Sequence, residues 1–345
     1  MHSNILTEDI RSFTENFAFP NELREKHFLI TGATGLLGSI MTKCLFALNE
    51  KYQLHLSLSC PVRDQQKAEL IYGKSFRPSI FEQVDINEIS TANLGTEIDY
   101  ILHFAAPTAS RYFIEHPVET FETIVGGTEK LLSFAQNLNH LKGFVYISSL
   151  EVYGSILDDS KPVTEEKQGY INPLDIRSCY SLGKRAAECL CHAYAAERSM
   201  PIFIARLTQT FGAGIAASDQ RVFAQFARSA TSGSNIVLHT TGLSAKPYCY
   251  TTDATSALLY ILLRGESGTA YNVANESTYI SIRSMAEFVR EHFAPQIQIK
   301  IEQQSDCGYA PTTRLKLDCT RLQKLGWTPR YDLLQMFQNL INSLA

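Results

Sequence analysis

The chain has 345 residues, a hydrophobic fraction of 45% and a formal net charge of −4. An apolar fraction of this size excludes a disordered chain, and a pI near 6.2 predicts no basic surface for nucleic acid or anionic membranes. Because we find neither a transmembrane run nor a signal peptide, we expect a cytoplasmic protein with reduced cysteines. Cys189, Cys191 and His192 match no standard zinc spacing, and no metal site is expected.

Short apolar segments alternate with amphipathic ones from residue 26 to residue 207. After a partly helical N-terminal arm at residues 1–25, we predict strands at 27–31, 54–60, 80–84, 100–104, 143–148 and 202–206. Between them we predict helices at 36–48, 65–72, 117–138 and 179–197. Strands that are apolar on both faces and alternate with helices are typical of a parallel sheet that is covered on both sides.

The pattern changes after residue 207, where helices predicted at 221–232, 252–263, 282–292 and 331–343 mix with short strands and longer loops. We therefore predict an α/β fold in two parts. Residues 26–207 form a Rossmann-type doubly wound parallel sheet. Residues 208–345 form mainly a smaller, mixed α/β C-terminal lobe over the carboxyl edge of the sheet, with some segments returning to it.

A glycine-rich turn directly follows the first predicted strand. The run Gly-Ala-Thr-Gly-Leu-Leu-Gly places Gly32, Gly35 and Gly38 at spacings of three where the first helix begins. Glycine allows a tight turn, a close approach of backbone N–H groups to a pyrophosphate, and close packing of helix on strand. The partial positive charge of the helix N-terminus also favours phosphate. The turn predicts a dinucleotide site.

Polar residues near the next two predicted strands bear on the identity of the dinucleotide. An acidic residue at the position of Asp64 favours the ribose of NAD, whereas Arg63 favours the 2′-phosphate of NADP. Both cofactors therefore stay open. Asp85 either hydrogen-bonds the adenine amine or caps the turn after it.

Tyr180 and Lys184 are four residues apart on one predicted helix and therefore share a face. A nearby ammonium lowers the pKa of a phenol and makes the phenolate available as a base. A serine hydroxyl beside them would polarise a substrate hydroxyl or carbonyl. We therefore predict a catalytic site built on Tyr180, Lys184 and a serine.

Further motifs accompany this pair between about residue 26 and residue 340. In chain order they are Gly32-x-x-Gly35-x-x-Gly38, Phe104-Ala105-Ala106, Ser148-Ser149-Leu150-Glu151-Val152-Tyr153-Gly154, Tyr180-x-x-x-Lys184, Thr210-Phe211-Gly212 and Leu325-Gly326-Trp327-x-Pro329. The set resembles the extended short-chain dehydrogenase/reductases of the nucleotide-sugar epimerase/dehydratase group. The stretches around residues 169–188 and 219–222 are most similar to those of UDP-glucuronate decarboxylases.

The resemblance implies an NAD(P)-dependent homodimer that acts on a nucleotide-diphospho-sugar bound largely by the C-terminal lobe. Its two long helices, at 117–138 and 179–197, would pack against those of a second copy. Tyr180 would be the base, Lys184 would hold the nicotinamide ribose, and Ser149 would bind the reacting oxygen, with Glu151 as a fourth catalytic residue. The cofactor residues would be Gly32, Thr34, Gly35, Leu36, Leu37, Gly38, Arg63, Asp85, Ile86, Phe104, Ala105, Ala106, Tyr180 and Lys184. The substrate residues would be Thr108, Gln209, Arg221 and Lys246.

Members of this group oxidise C4 of the sugar and then differ in the second chemical step. Leu150 stands where the 4,6-dehydratases have a proton-donating Asp, which disfavours dehydration. Lys246 stands where the decarboxylases have an Arg, and lysine lacks the planar fork that grips a carboxylate at two points. Two further departures are Ile124 and Gln209, both at positions where Asn is usual.

Decarboxylation and epimerisation therefore remain the first interpretation, with 4,6-dehydration or net 4-oxidation or reduction as the alternative. NAD is favoured by the resemblance, and Arg63 keeps NADP open. From other classes, the sequence also allows a non-catalytic NAD(P)-sensing regulator and an NADPH reductase of a non-nucleotide carbonyl.

Overall fold

The computed structural model of the chain describes residues 5–303 and 312–344. In these two ranges the strands are β1 (His27–Thr31), β2 (Ser57–Ser59), β3 (Tyr100–His103), β4 (Gly143–Ser149), β5 (Ile202–Leu207), β6 (Gln209–Phe211), β7 (Ile236–Leu238), β8 (Ala245–Tyr250), β9 (Ala270–Val273), β10 (Asn275–Ser281) and β11 (Ile299–Ile301). The helices are α1 (Ile5–Asn16), α2 (Leu36–Tyr52), α3 (Gln65–Tyr72), α4 (Thr91–Leu94), α5 (Ser110–Glu115), α6 (Pro117–Ala135), α7 (Ser178–Arg198), α8 (Val222–Ser232), α9 (Thr251–Arg264), α10 (Ile282–Phe293), α11 (Thr320–Gln323) and α12 (Leu333–Leu344).

Six parallel strands form the central sheet, in the order β2-β1-β3-β4-β5-β9. The sheet is apolar on both faces because its side chains alternate between two cores. Phe28 and Ile30 of β1 face α2 and α9, whereas Leu29 faces the core that contains α6 and α7. Helices on both faces of a parallel sheet confirm the predicted doubly wound fold.

The strand predicted at 80–84 is wrong. This segment makes only an isolated bridge between Val62 and Gln83, flanked by a hydrogen bond of 2.9 Å from the Val62 N–H to the Glu82 carbonyl. The strand predicted at 54–60 is shortened to β2. The Cys60 N–H also donates to the Ile80 carbonyl at 2.7 Å and the Val84 N–H to the Val62 carbonyl at 3.2 Å, so the 80–84 segment pairs with residues 60–62 over too short a length to form a regular strand.

The segments after residue 207 divide between a separate lobe and the central sheet. The lobe contains a three-stranded sheet of order β10-β8-β6 and a pair formed by β11 and β7. Helices α8, α10 and α12 share one apolar core with these strands. Helix α9 and strand β9 instead return to the central sheet, where β9 pairs with β5.

The N-terminal arm packs α1 against α2, α9 and α12, which joins the sheet side to the lobe. Its buried Asp9 accepts hydrogen bonds from the Tyr250 hydroxyl at 2.5 Å and from the Asn339 amide at 3.3 Å. Burial raises the pKa of Asp9 to about 6. A second buried carboxyl, Asp253, accepts from the backbone N–H groups of residues 330 and 331, and burial raises its pKa to about 6 as well. No helix within the described ranges is long and apolar enough to cross a membrane.

Candidate active site at the carboxyl edge of the sheet

The glycine turn between β1 and α2 leaves no room for a side chain at Gly32 or Gly38. Gly32 has a φ of +69°, and a Cβ there would lie 2.8 Å from the Ala105 backbone nitrogen. A Cβ on Gly38 would lie 2.3 Å from the Gly32 carbonyl oxygen. The turn is therefore folded against the segment that follows β3, with an exposed Gly35 at the N-terminus of α2. This geometry fits the pyrophosphate of a dinucleotide.

The other residues that were predicted to bind the cofactor near this turn lie next to it in the structure. Thr34 lies within the turn, and the partly buried Leu36 and Leu37 open α2. Phe104, Ala105 and Ala106 follow β3 directly, and the Ala105 N–H donates to the Thr31 hydroxyl at 3.3 Å.

The acidic residues predicted near the ribose and adenine both serve as caps. The Asp64 carboxylate accepts from the Lys67 N–H at 2.9 Å at the start of α3. The Asp85 carboxylate accepts from the Asn87 N–H at 2.9 Å, which is the capping role among the two that the sequence left open. Ile86 packs on Gly127 of α6, and Arg63 is exposed.

Tyr180, Lys184 and Ser149 meet where β4 ends against α7. The Lys184 ammonium donates to the Ile147 carbonyl at 2.7 Å. It lies 4.8 Å from the centroid of the Tyr146 ring and 5.9 Å from that of the Tyr180 ring. Ser149 is the last residue of β4, and its hydroxyl accepts from the Glu151 N–H at 3.2 Å.

Burial sets the proton affinities of this group. It raises the pKa of Tyr180, the negative charge of Glu151 raises it further, and the Ser149 hydroxyl acts in the opposite direction. Burial also lowers the pKa of Lys184 to about 8. Desolvation of the phenolate is thus the largest influence on the pKa of Tyr180, and it acts against the lowering by Lys184 that the sequence predicted.

Glu151 brings a second set of charges to the same place. Its carboxylate accepts from the Ser181 hydroxyl at 3.4 Å. Lys246 of β8 is mostly buried, and burial lowers the pKa of its ammonium. The negative charge of Glu151 raises this pKa, whereas the positive charge of Arg177 lowers it further. Leu150, between Ser149 and Glu151, is buried. Glu151 is thus the carboxylate that acts both on Tyr180 and on Lys246, with Arg177 acting on Lys246 as well.

The remaining predicted substrate residues differ in their surroundings. Gln209 lies on β6 opposite Tyr248, and its amide oxygen is buried with no hydrogen-bond partner within the described ranges. Thr108 is exposed in the loop before α5. Arg221 lies apart, at the start of α8, where Asp219 pairs with its guanidinium at 2.5 Å and the Phe223 ring lies 4.8 Å away.

Several residues that shape the site are not among the site residues predicted from the sequence. Phe113 of α5 stacks on the Tyr180 ring with centroids 4.3 Å apart. Arg177 is three residues before Tyr180, and its position in the sequence assigns it no role. Glu188 and Arg206 form a buried ion pair behind Lys184, at 2.7 Å.

The comparisons with known proteins agree with this geometry. The model of the NAD dependent epimerase/dehydratase family matches residues 28–274. UDP-glucuronic acid decarboxylase 5 of Arabidopsis thaliana is 30% identical over 322 residues, which cover 91% of this chain and 90% of that protein. UDP-glucuronic acid decarboxylase 1 of Xenopus tropicalis is 27% identical over 92% of this chain and 73% of that protein.

Solved structures show the same fold at lower identity. A UDP-glucose 4-epimerase of Thermotoga maritima with UDP-glucose superposes with a TM-score of 0.77 at 17% identity, covering 92% of this chain and 98% of that chain. A dTDP-glucose 4,6-dehydratase of Bacillus anthracis in complex with NAD gives 0.73 at 20% identity, over 92% and 96%. Both the predicted fold and the resemblance are confirmed: the chain belongs to the NAD-dependent epimerase/dehydratase family.

Proposed function

We propose that this protein is an NAD(P)-dependent enzyme that oxidises C4 of a nucleotide-diphospho-sugar and then decarboxylates it, with UDP-glucuronate as the substrate. The observation that carries the proposal is the position of Lys246 near Glu151, the carboxylate that also acts on Tyr180. A cation at this point suits a sugar with a carboxylate, and Leu150 cannot supply the proton that dehydration needs. The UDP-glucuronic acid decarboxylases among its relatives support the same reaction.

The dinucleotide would be held by the turn at Gly32–Gly38, by the Phe104–Ala106 segment and by Lys184. When bound in its oxidised form, it supplies a hydride acceptor and a positive charge. That charge, together with Lys184, would offset the burial that raises the pKa of Tyr180. NAD is our first choice, and the exposed Arg63 is the feature that would favour NADP.

In the first step Tyr180 takes the proton of the C4 hydroxyl while a hydride leaves C4, so that C4 becomes a ketone. Ser149 donates a hydrogen bond to the same oxygen. Lys184 stabilises the phenolate form of Tyr180.

The ketone makes the sugar a β-keto acid. Carbon dioxide then leaves because the electron pair of the bond to the carboxylate moves toward the C4 oxygen, where Ser149 stabilises the developing charge. Lys246 and Arg177 would orient the carboxylate before this step. Water would protonate the ring carbon that carried the carboxylate. The hydride held by the dinucleotide would then return to C4 while Tyr180 returns its proton to the C4 oxygen, which completes the reaction.

We also propose that the enzyme is a homodimer and works in the cytoplasm. Helices α6 and α7 pack on each other, and α5 and α6 expose Ile114, Val118 and Phe121. Such apolar side chains suit a helical interface with a second copy. Seven free cysteines in the described ranges suit a reducing compartment.

The reaction is tested by incubating the protein with UDP-, dTDP-, GDP- and CDP-sugars and measuring product mass. We expect a loss of about 44 Da from UDP-glucuronate, which is the mass of carbon dioxide. Tyr180→Phe keeps the ring stack on Phe113, and we expect it to lower kcat by at least about 100-fold while retaining dinucleotide binding. A loss of 18 Da would indicate dehydration, an isomer would indicate epimerisation, and undiminished turnover by Tyr180→Phe would disprove the mechanism.

The role of Lys246 is tested by two substitutions. Lys246→Met should reduce kcat/KM for UDP-glucuronate by about 30-fold or more. It removes the cation that would pair with the carboxylate of the sugar in a largely desolvated site. Lys246→Arg should stay within about tenfold of the native enzyme, because it keeps the charge. The control is the affinity for UDP-glucose, which has no carboxylate and should be unchanged. An equal loss for both sugars would assign Lys246 to the diphosphate instead.

The cofactor site is tested with a matched pair of glycines. Gly38→Ala should weaken dinucleotide affinity by at least about tenfold, since its methyl group would meet the Gly32 carbonyl oxygen at 2.3 Å. Gly126→Ala on α6 should keep the affinity and add about 0.5–1 kcal/mol of stability, because no atom lies within 4 Å of the added carbon. Calorimetric titration and thermal unfolding measure both effects. Native affinity in Gly38→Ala would place the dinucleotide elsewhere.

The dimer is tested by light scattering after size exclusion. Val118→Glu should shift the protein from twice 38.6 kDa to 38.6 kDa, because a buried carboxylate would disrupt the interface. Val118 is 69% exposed. Leu70 on α3 is 86% exposed, and Leu70→Glu should leave the mass unchanged as a control. A native protein that already elutes as a monomer would refute the proposed dimer.

A further inference from the structure

Three charged side chains form a buried row from the catalytic helix into the sheet. Lys184 and Glu188 are one turn apart on α7, and Arg206 lies on β5. Their exposed fractions are 4%, 7% and 7%. Charges this deeply buried need partners, so the contacts of each one show what holds it in place.

Glu188 is fixed from two neighbouring strands. The Arg206 Nε lies 3.0 Å and 3.1 Å from the two carboxylate oxygens of Glu188, and its Nη2 lies 2.7 Å from Oε2. From β4, the Ser148 hydroxyl donates to Oε1 at 2.5 Å. The Glu188 carboxylate is thus paired with a guanidinium through charge-assisted hydrogen bonds inside the protein.

Arg206 is fixed in turn by neutral groups. Its Nη1 donates to the Glu165 carbonyl oxygen at 2.7 Å and to the Tyr153 hydroxyl at 3.1 Å. The Tyr153 hydroxyl donates onward to the Asn272 side chain at 2.6 Å. The pair therefore has a single, fully supported geometry and cannot turn away from Lys184.

The groups that face Lys184 come from α7, β4 and β3. The titratable ones are Tyr180, Glu188, Cys191, Tyr146 and His103. Burial raises the pKa of both tyrosines and of the thiol, and it lowers the pKa of His103 to about 3, so these four are neutral near pH 7. Glu188 is thus the one negative charge among these groups of the described chain.

The catalytic lysine accordingly depends on this carboxylate. Burial lowers the pKa of Lys184 to about 8, and Glu188 is the largest influence in the opposite direction. Lys184 has to be protonated both to bind the nicotinamide ribose and to stabilise the Tyr180 phenolate. We propose that Glu188, clamped by Arg206, is a positioning residue that keeps Lys184 protonated in the working enzyme, an inference that rests on the proposed function.

The experiment measures the affinity of the full-length protein for NAD⁺ between pH 6 and pH 10, by calorimetric titration. In the native protein, binding should weaken as the pH rises through about 8, where Lys184 loses its proton. In Glu188→Gln, which keeps the shape but loses the charge, the midpoint of this loss should move to lower pH by about one unit or more. The midpoint moves to lower pH because the Lys184 ammonium loses the attraction of the Glu188 carboxylate and then gives up its proton more readily.

Two matched variants define what the shift means. Glu188→Asp keeps the charge and should restore the native midpoint. Glu197→Gln removes the same charge from an exposed position on the same helix and should leave the midpoint in place. Because the readout is binding, it stands even if no nucleotide sugar is turned over, which would refute the proposed function alone.

Breaking a buried ion pair often destabilises a protein, so a fourth variant keeps the test decisive. The double variant Glu188→Gln/Arg206→Met removes both charges, and it should fold even if the single variant Glu188→Gln does not. Its midpoint should also lie below that of the native protein. If either folded variant binds more weakly at every pH with an unmoved midpoint, Glu188 has only a structural role and the proposal is overturned.

Discussion

The amine of Lys184 lies inside the protein, beneath the carboxyl edge of the sheet, and several elements of the fold supply the groups around it. Lys184 is almost wholly enclosed, and burial works against its charge. The Ile147 carbonyl and the Tyr146 ring offer partial negative charge from β4. Glu188 offers a full one, and Arg206 balances that charge in turn. The register of β4 against β5 is therefore an electrostatic requirement as well as a packing one, because it brings Ser148 alongside Arg206.

Most of the central sheet can be predicted from the sequence, because a parallel strand buried on both faces leaves a continuous apolar run in the chain. The error at residues 80–84 has a local cause that hydrophobicity does not reveal. The 80–84 segment pairs with residues 60–62 just beyond β2 over too short a length to form a strand, and it makes a single isolated bridge there. Hydrophobicity does not reveal the position of β9 either. Strand β9 pairs with β5 in the central sheet, where α9 packs against it.

The candidate site, like the fold, can be predicted from the sequence only in part. Tyr180 and Lys184 can be placed together from sequence because four residues make one helical turn, and the glycine spacing specifies the turn before α2. The proton affinity of Tyr180 cannot be predicted in this way. It depends on Phe113, which stacks on the ring from a different helix, and on Glu151. Lys246 reaches the same place only because β8 lies between β6 and β10, so its charge becomes informative once the lobe is folded.

The N-terminal arm has a consequence for how the chain is made. Asp9 is synthesised 330 residues before Asn339, to which it is hydrogen-bonded. Synthesis proceeds at about 5–20 residues per second, so α1 waits many seconds for its partners on α9 and α12. The sheet is also incomplete until β9 has been made. During that interval α1 can pack against α2, which follows it directly in the chain, but its contacts with α9 and α12 wait until those helices have been made.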